Sequence, residues 1–400
     1  MKIGFLIGSP DISGGSFVIF EHALRLKSYG YAIYMIMEKE LSTAKSELDW
    51  HDRAKALEWT TFDKLTLAQE KLDIVFATWW RTSYELHRVH ATKYAYFVQS
   101  IESKFYCESE KPLRKLVEST YTAGLPIITE ATWIKEYLYD EFENSALLAK
   151  NGIRKDIFTI DGSCIEPRDP DKLRVLVEGP LNVPFKNVER TIELCRKSKA
   201  DEVWLLTSTK VDEIEGVDKL FSKVPVERVA DIYRSTDVIV KLSYVEGMFG
   251  PPLEMFHCGG TAITYDVTGH DEYIEHDVNA LVAKCDDEDQ VISYINELKA
   301  NPEKLQKLKS NAIETANGWI NWDQSSEVFG NCVKDILESK TEKISLINKR
   351  LAFMYDWYII AEQYKNCDGT LTQILYRKLK FYLQHKYPSF YAILRKILIK

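Results

Sequence analysis

The chain has 400 residues, 45% of them apolar, and a formal net charge of −8 at pH 7. This length and apolar content predict two domain cores, and no uninterrupted run of about 18 apolar residues suggests a membrane span. An acidic protein repels phosphates, and the sequence has no helix-turn-helix, zinc-finger or RNP pattern, which argues against a nucleic-acid partner.

Seven cysteines are scattered along the chain without Cys-x-x-Cys spacing. This usage favours a reducing compartment, and the histidines show no cluster at metal spacing that would predict structural zinc. The N-terminal sequence MKIGFLIGSP is interpreted as a first strand rather than a signal peptide. We therefore expect a cytoplasmic protein.

Strand-like and helical segments alternate along the chain, which is the pattern of βαβ units and parallel sheets. The first half begins with the strand KIGFLIGS and the helix SFVIFEHALRLKSYG, and it continues with the strands YAIYMIM, LDIVFAT, YAYFVQ and PIITE. Two prolines among charges at Glu166–Lys172 predict a linker. The alternation then restarts with LRVLVEG, VERTIELCRKS, EVWLLTS, VERVADIYRS and DVIVKLS. The sequence thus predicts an α/β protein with two Rossmann-like domains, at residues 1–166 and 172–320.

The stretch SYVEGMFGPPLEMFHCGG, residues 243–260, follows the last of these strands. Pro251 and Pro252 suit the first turn of a helix, so Glu246 is predicted in the preceding loop and Glu254 about one turn into the helix. Ligands bind at this edge of an open parallel sheet, and helix N-termini favour anionic oxygens. The pair therefore fits a ligand with hydroxyls and phosphates. The alternative is that Glu254 complements the helix dipole and Glu246 caps a turn.

The C-terminal region is basic. Residues 341–400 contain eleven Lys and Arg against four Asp and Glu, and residues 371–400 contain no acidic residue. Leucines at 371, 375, 379 and 383 have helical spacing, so an amphipathic basic tail is predicted. Such a helix can lie on an anionic membrane surface, and the alternative is docking on the acidic body of the protein or on a partner subunit.

From Val226 to Ala312 the sequence resembles the donor-binding half of family-4-type retaining glycosyltransferases of the GT-B fold. The two glutamates have the family spacing, and further similar segments are TGHDE (Thr268–Glu272), NGIRKDIF (Asn151–Phe158), GSPDISGGS and GPLNVPFKN. The resemblance implies two Rossmann-like domains facing across a cleft, with a C-terminal helical appendage. It also implies that residues 321–340 form a helix returning to the first domain, ahead of the tail at 341–400.

The resemblance also implies site residues. Glu254 is expected on the ribose hydroxyls of a nucleotide-sugar, Glu246 beside the donor sugar, and Lys186 at the diphosphate. The other donor-side candidates are Gly14, Gly15, Phe249, Gly250, Gly269, His270 and Glu272. Many family members carry a His-Asp pair on the acceptor side, where this chain has Gln99 and Glu102; the aromatic pair Trp79 and Trp80 is a further candidate there.

Two departures from the family pattern concern the donor side. Met248 is inserted before Phe249 and Gly250, and Pro180 stands where an arginine usually precedes the lysine. The acidic runs DPD and DDED fall in the predicted linker and at a helix start, so they are interpreted as solvated rather than as metal ligands. The donor is expected to be a dTDP- or UDP-sugar used without a metal or other cofactor.

The leading prediction is a retaining glycosyltransferase that extends a cell-surface polysaccharide or a lipid-linked saccharide acceptor, at the inner face of the plasma membrane. The segments YFVQSIESKFY and TWIKEYL resemble a bacterial rhamnosyltransferase branch, which points to rhamnose as the sugar. Two alternatives are a non-catalytic GT-B binding subunit that stabilises a partner transferase, and a nucleotide-sugar epimerase or phosphorylase on the same fold.

Overall fold

Two parallel sheets organise the chain in the computed structural model, which describes residues 1–365, 371–387 and 390–391. The strands of these sheets are apolar on both faces because helices cover both sides. In the strand at Ala91–Val98, for example, Tyr96 and Val98 pack in one core cluster, whereas Ala95 and Phe97 pack in another. This accounts for the nearly continuous apolar runs in the sequence.

The first lobe is built around a seven-stranded sheet. Its strands are β1 (Lys2–Leu6), β2 (Ala32–Met37), β3 (Glu58–Thr61), β4 (Leu72–Ala77), β5 (Ala91–Val98), β6 (Ile127–Thr129) and β7 (Leu147–Leu148). Its helices are α1 (Gly14–Ser28), α2 (Phe62–Leu67), α3 (Trp80–Ser83), α4 (Lys111–Glu118) and α5 (Thr132–Phe142). The strand order is β3-β2-β1-β4-β5-β6-β7, with every neighbouring pair parallel.

The second lobe repeats this arrangement with six strands. They are β8 (Arg174–Glu178), β9 (Glu202–Thr207), β10 (Lys219–Ser222), β11 (Val238–Lys241), β12 (Thr261–Tyr265) and β13 (Leu281–Ala283). The helices are α6 (Val188–Lys197), α7 (Val226–Tyr233), α8 (Gly250–His257), α9 (Glu288–Ala300) and α10 (Pro302–Gly318). The order β10-β9-β8-β11-β12-β13 is parallel throughout, which confirms the prediction of two Rossmann-like α/β domains.

Three helices follow the second lobe: α11 (Trp322–Glu338), α12 (Ile344–Lys365) and α13 (Leu371–Lys386). Trp322 and Phe329 of α11 pack in the core of the first lobe, and so do Ile347 and Leu351 of α12. Most of the predicted basic tail after Tyr387 lies outside the described residues. In the part of the chain that is described, every helix is too short or too polar to cross a membrane.

Five strands were not predicted, and four of them, β3, β7, β10 and β13, are the sheet edges. These edge strands are two to four residues long, too short for a hydrophobic period to stand out. Ile153 and Phe158 already pack in the core of the second lobe, upstream of the linker predicted at Glu166–Lys172. The chain therefore crosses between the lobes shortly after β7.

Candidate active site at the junction of the lobes

The carboxyl edge of the second sheet carries the predicted donor-binding motif. β8 and β11 are neighbours although two strands lie between them in sequence, and open α/β sheets bind ligands in the crevice outside such a switch point. After β11 the chain passes through Glu246 into α8, which has prolines in its first turn. The N–H groups of a first turn have no intrahelical partner, so proline costs little there. The predicted start of this helix is confirmed.

Glu246 lies between two lysines. Its side chain is 7% exposed, with the Lys186 Nζ 2.8 Å from Oε2 and the Lys241 Nζ 3.7 Å from Oε1. Burial acts to raise the pKa of this carboxyl, but the two lysines outweigh burial and hold the pKa below its ordinary value. Glu246 is therefore an ionised group at neutral pH.

Glu254 has the opposite protonation state. Burial, reinforced by the nearby Glu178 carboxylate, raises its pKa to about 8, against the opposing effects of Tyr233 and Lys241. The Tyr233 hydroxyl donates to Oε2 at 3.3 Å. At neutral pH Glu254 is mostly protonated, so it can donate one hydrogen bond and accept others.

Lys241, the last residue of β11, acts electrostatically on both Glu246 and Glu254. It was not predicted from the sequence as a site residue. It is 4% exposed, and its Nζ lies 2.5 Å from the Glu178 carboxylate at the end of β8. Burial alone would lower the pKa of Lys241, but Glu178 and Glu246 raise it above the ordinary value. A lysine inside the apolar run DVIVKLS was the available signal, because a buried charge requires a partner.

The first lobe contributes a glycine-rich helix start and Gln99. Gly14 and Gly15 begin α1, and the hydroxyl of the N-cap Ser13 accepts from the Ser16 N–H at 3.0 Å. A Cβ on Gly15 would lie 3.5 Å from the Gln99 amide, so Gln99 lies directly over the N-terminus of α1. The structure brings these three predicted residues together at the carboxyl edge of the first sheet.

The loop that follows Glu246 is in direct contact with the first lobe. A Cβ on Gly247 would lie 2.0 Å from the Gln99 carbonyl oxygen. The Met248 N–H donates to Glu130 Oε1 at 3.0 Å, and Trp133 Nε1 donates to the Gly247 carbonyl at 2.9 Å. Glu130 follows β6 and was not predicted. The loop between β11 and α8 and the carboxyl edge of the first sheet are therefore in direct contact.

A second loop, which includes Gly269, His270 and Glu272, also reaches the first lobe. The Glu272 carboxylate accepts from the Thr132 N–H at 2.5 Å and the Trp133 N–H at 3.2 Å, and it lies 2.6 Å from the Lys150 Nζ. Glu272, predicted to contact the donor, thus occupies the N-terminus of α5. His270 Nδ1 is 2.6 Å from the Val267 carbonyl, and Gly269 has a φ of +83°, a left-handed conformation that favours glycine.

Three predicted residues differ in their access to the cleft. Glu102 is buried, and its Oε2 accepts from the Trp80 N–H at 2.8 Å and the Tyr96 hydroxyl at 2.6 Å. Phe249 is fully buried and packs in the core of the second lobe. Gly250, in contrast, opens α8 with free space around its Cα. The carboxyl of Glu102 and the ring of Phe249 are therefore engaged inside their own lobes.

The acidic runs take part in local structure. Asp287 caps α9 by accepting from the Gln290 N–H at 3.0 Å, and Asp169 accepts from the Asp171 N–H at 3.0 Å. Across the described residues, no group of three or more His, Cys, Asp and Glu side chains is placed to hold a metal ion. Metal independence stays a prediction.

Comparison with known proteins places this geometry in context. A family model described as glycosyl transferases group 1 matches residues 198–315. The chain is 26% identical over 261 residues to the O-antigen biosynthesis protein RfbC of Myxococcus xanthus, an alignment that covers 60% of this chain and 19% of RfbC. The chain thus spans about a fifth of the length of this curated relative.

Solved structures share the architecture. Sucrose-phosphate synthase of Thermosynechococcus elongatus superposes with a TM-score of 0.68 at 15% identity, covering 84% of this chain and 98% of that one. HepE of Anabaena, in complex with UDP and glucose, superposes with a TM-score of 0.67 at 13% identity, covering 84% of this chain and all of HepE. These similarities confirm the predicted GT-B fold.

Proposed function

We propose that this chain, whose second lobe carries a glycosyl transferases group 1 domain, transfers a sugar from a nucleoside-diphosphate donor to a saccharide acceptor with retention of configuration. The observation that carries the proposal is the pair Glu246 and Glu254, which both border Lys241 at the carboxyl edge of the second sheet. One carboxyl is ionised and the other protonated, and the loop that follows Glu246 contacts the first lobe.

The donor would lie along this edge. Glu254 binds the ribose hydroxyls, since a neutral carboxyl both donates and accepts hydrogen bonds. The diphosphate lies near Lys186, which is the more exposed of the two lysines, with a side chain 21% exposed against 4% for Lys241. Lys241 supplies a second positive charge beside Glu246. This charge would compensate for Pro180, which stands where the family carries an arginine. The N-termini of α1 and α8 add backbone N–H donors.

The transfer step needs stabilisation of the leaving group. As the bond from the anomeric carbon to the diphosphate oxygen breaks, the acceptor hydroxyl oxygen bonds to that carbon on the same face, and its proton moves to the leaving phosphate oxygen. Lys186 and the backbone N–H groups stabilise the developing charge, and each such interaction is worth roughly a hundredfold in rate. A protein base is then unnecessary, which agrees with the engagement of Glu102 inside the first lobe.

The relatives suggest which substrates to test first. HepE was solved with UDP and glucose, which supports a UDP-sugar as donor beside the dTDP-rhamnose suggested by sequence. RfbC is described as an O-antigen biosynthesis protein, which supports a growing cell-surface polysaccharide, or a lipid-linked saccharide, as acceptor.

The helix α13 supports a membrane-bound acceptor. Leu375, Leu379 and Tyr382 are more than half exposed beside Lys378 and Lys380, and each cation near an anionic surface is worth about 1 kcal/mol. Deletion of residues 371–400 should abolish co-sedimentation with phosphatidylglycerol vesicles and leave the weak binding to phosphatidylcholine vesicles unchanged. Equal binding by the full and shortened chains would reject this part of the proposal.

The enzymatic proposal is tested by donor binding and turnover. UDP, UDP-glucose and dTDP-rhamnose are screened by thermal shift, followed by slow donor hydrolysis by the isolated protein. Glu254→Ala should weaken nucleotide binding about tenfold or more, because it removes a buried hydrogen-bonding group. Glu314→Ala, an exposed glutamate on α10, is the matched control. Binding without turnover on any saccharide acceptor would identify a binding subunit instead, and product formation without acceptor would identify an epimerase.

A further inference from the structure

A stacked pair of phenylalanine rings joins the two lobes beside Lys186. Phe105 belongs to the first lobe and Phe185 to the second, and their ring centroids are 4.7 Å apart with 9° between the ring planes. Both residues are partly exposed, and neither packs in the cores of the two lobes as the described residues form them. The pair is therefore a contact between the lobes rather than a part of either core.

Phe105 is presented by a segment that is fixed in the first lobe. It ends the short helical turn Glu102–Phe105, which follows β5. The Glu102 carboxylate accepts from the Trp80 N–H at 2.8 Å, and the Glu102 N–H donates to the Tyr121 hydroxyl at 2.9 Å. The first lobe therefore holds the Phe105 ring at a defined place.

The Phe185 ring lies between this contact and the proposed diphosphate lysine. Phe185 and Lys186 share the short turn Pro184–Lys186 between β8 and α6. The Lys186 Nζ is 5.6 Å from the centroid of the Phe185 ring, within the range of a cation–π contact, and 2.8 Å from Glu246 Oε2. The Phe185 carbonyl accepts from the Tyr244 N–H at 2.8 Å, which connects the turn to the loop of Glu246. One ring thus contacts the first lobe and lies beside the ammonium group of Lys186.

We propose that Phe105 is a positioning residue for Lys186: when the lobes close, its ring stacks on Phe185 and holds the Lys186 ammonium at the leaving diphosphate. This inference rests on the proposed function and adds a means of regulating the same site. An open cleft would separate the two rings and leave Lys186 with its second-lobe contacts alone. Efficient cleavage of the donor then requires closure, which delays it until the acceptor-side lobe is in place.

The first test separates donor binding from donor cleavage in Phe105→Ala. UDP should bind this variant within about twofold of the wild type, because the residues proposed for the nucleotide lie on the second lobe. The kcat of transfer and of slow donor hydrolysis should fall about tenfold to a hundredfold with little change in the donor KM, since a catalytic group misplaced by about 1 Å loses up to about that much. Phe353→Ala, at an exposed phenylalanine on α12, is the matched control and should retain the wild-type kcat.

Further variants separate the stack from a general loss of packing. Phe105→Tyr keeps the ring and should keep most of the kcat, whereas Phe105→Leu keeps an apolar side chain without a planar ring and should lose it. The double variant Phe105→Ala/Phe185→Ala should have the kcat of Phe185→Ala alone, because both changes remove the same contact.

The inference is overturned if Phe105→Ala retains the wild-type kcat, or if the double variant shows the product of the two single effects. A loss of UDP affinity in Phe105→Ala that matches its loss of kcat would likewise overturn it, since that result indicates damage to the fold. A wild-type protein that turns over no nucleotide-sugar would refute the proposed function, and this inference with it. Wild-type turnover that Phe105→Ala leaves unchanged would refute the inference alone.

Discussion

Three buried carboxyl groups, those of Glu102 and Glu130 in the first lobe and of Glu254 in the second, have raised pKa values. Burial is the main cause in each case, and it raises the pKa to about 8 for Glu102 and Glu254 and to about 7 for Glu130. Glu246 is the exception, because lysines compensate its burial. Glu246 therefore stays ionised at neutral pH, whereas these three groups keep their protons at or near neutral pH.

The raised pKa of Glu130 predicts that the stability of the folded protein depends on pH. The unfolded chain loses this proton near pH 4.5 and the folded chain near pH 7, so folding becomes less favourable as pH rises through that window. Glu130→Gln cannot ionise, and its free energy of unfolding should rise relative to wild type by about 2–3 kcal/mol between pH 4 and pH 8. Urea denaturation at both pH values measures this. An equal difference at pH 4 and pH 8 would show that Glu130 does not titrate there.

At this scale the sequence predicted the residues that belong to a local pattern. The placement of Glu246 in the loop after a strand and of Glu254 on the next helix was predicted correctly, because the strand end and the prolines of the helix start are visible in one segment. Glu130 and Lys241 were not found, because their importance arises from which strands and lobes become neighbours. Glu272 was predicted to contact the donor from its local motif, whereas its observed partners belong to the other lobe.

At the scale of elements, central strands were predicted and edge strands were not. β1, β4, β8 and β11 are buried on both faces, so their apolar runs stand out, while the edges carry short segments such as EWTT and KLFS. The site depends on the central strands, since their carboxyl ends carry Glu178, Lys241 and the loop of Glu246. This is why the positions of Glu246 and Glu254 at the carboxyl edge of the second sheet were predictable although the edge strands were not.

The loop between β11 and α8 requires glycine at position 247. An added Cβ would lie 2.0 Å from the Gln99 carbonyl oxygen, which is backbone and cannot move aside. Gly247→Ala should relieve this clash by separating the loop from the first lobe, so we expect transfer activity to fall about a hundredfold while UDP still binds. Gly318→Ala, with free space around it, is the control. Wild-type activity in Gly247→Ala would mean that the loop contact is not needed for transfer.

At the scale of the whole molecule, the two lobes are connected by hydrogen bonds as well as by the chain. The segment 130–133 of the first lobe binds two loops of the second, at Gly247–Met248 and at Glu272. All of these contacts lie on the rim of the proposed donor site. Opening the cleft to admit a donor must therefore break them, and closing it must restore them.

Glu272→Gln is expected to shift the protein towards an open cleft. The Glu272 carboxylate lies at the N-terminus of α5 and pairs with Lys150, with only 4% of its side chain exposed. Removing a charge from such a place costs about 1–3 kcal/mol, which corresponds to a change of about tenfold or more in the closed-to-open ratio. Small-angle X-ray scattering should give a larger radius of gyration for the variant than for Glu275→Gln, an exposed neighbour, and saturating nucleotide-sugar should reduce the difference. Identical scattering curves for the two variants would show that the closed arrangement does not depend on this carboxylate, and closure would then have to rest on the remaining contacts between the lobes.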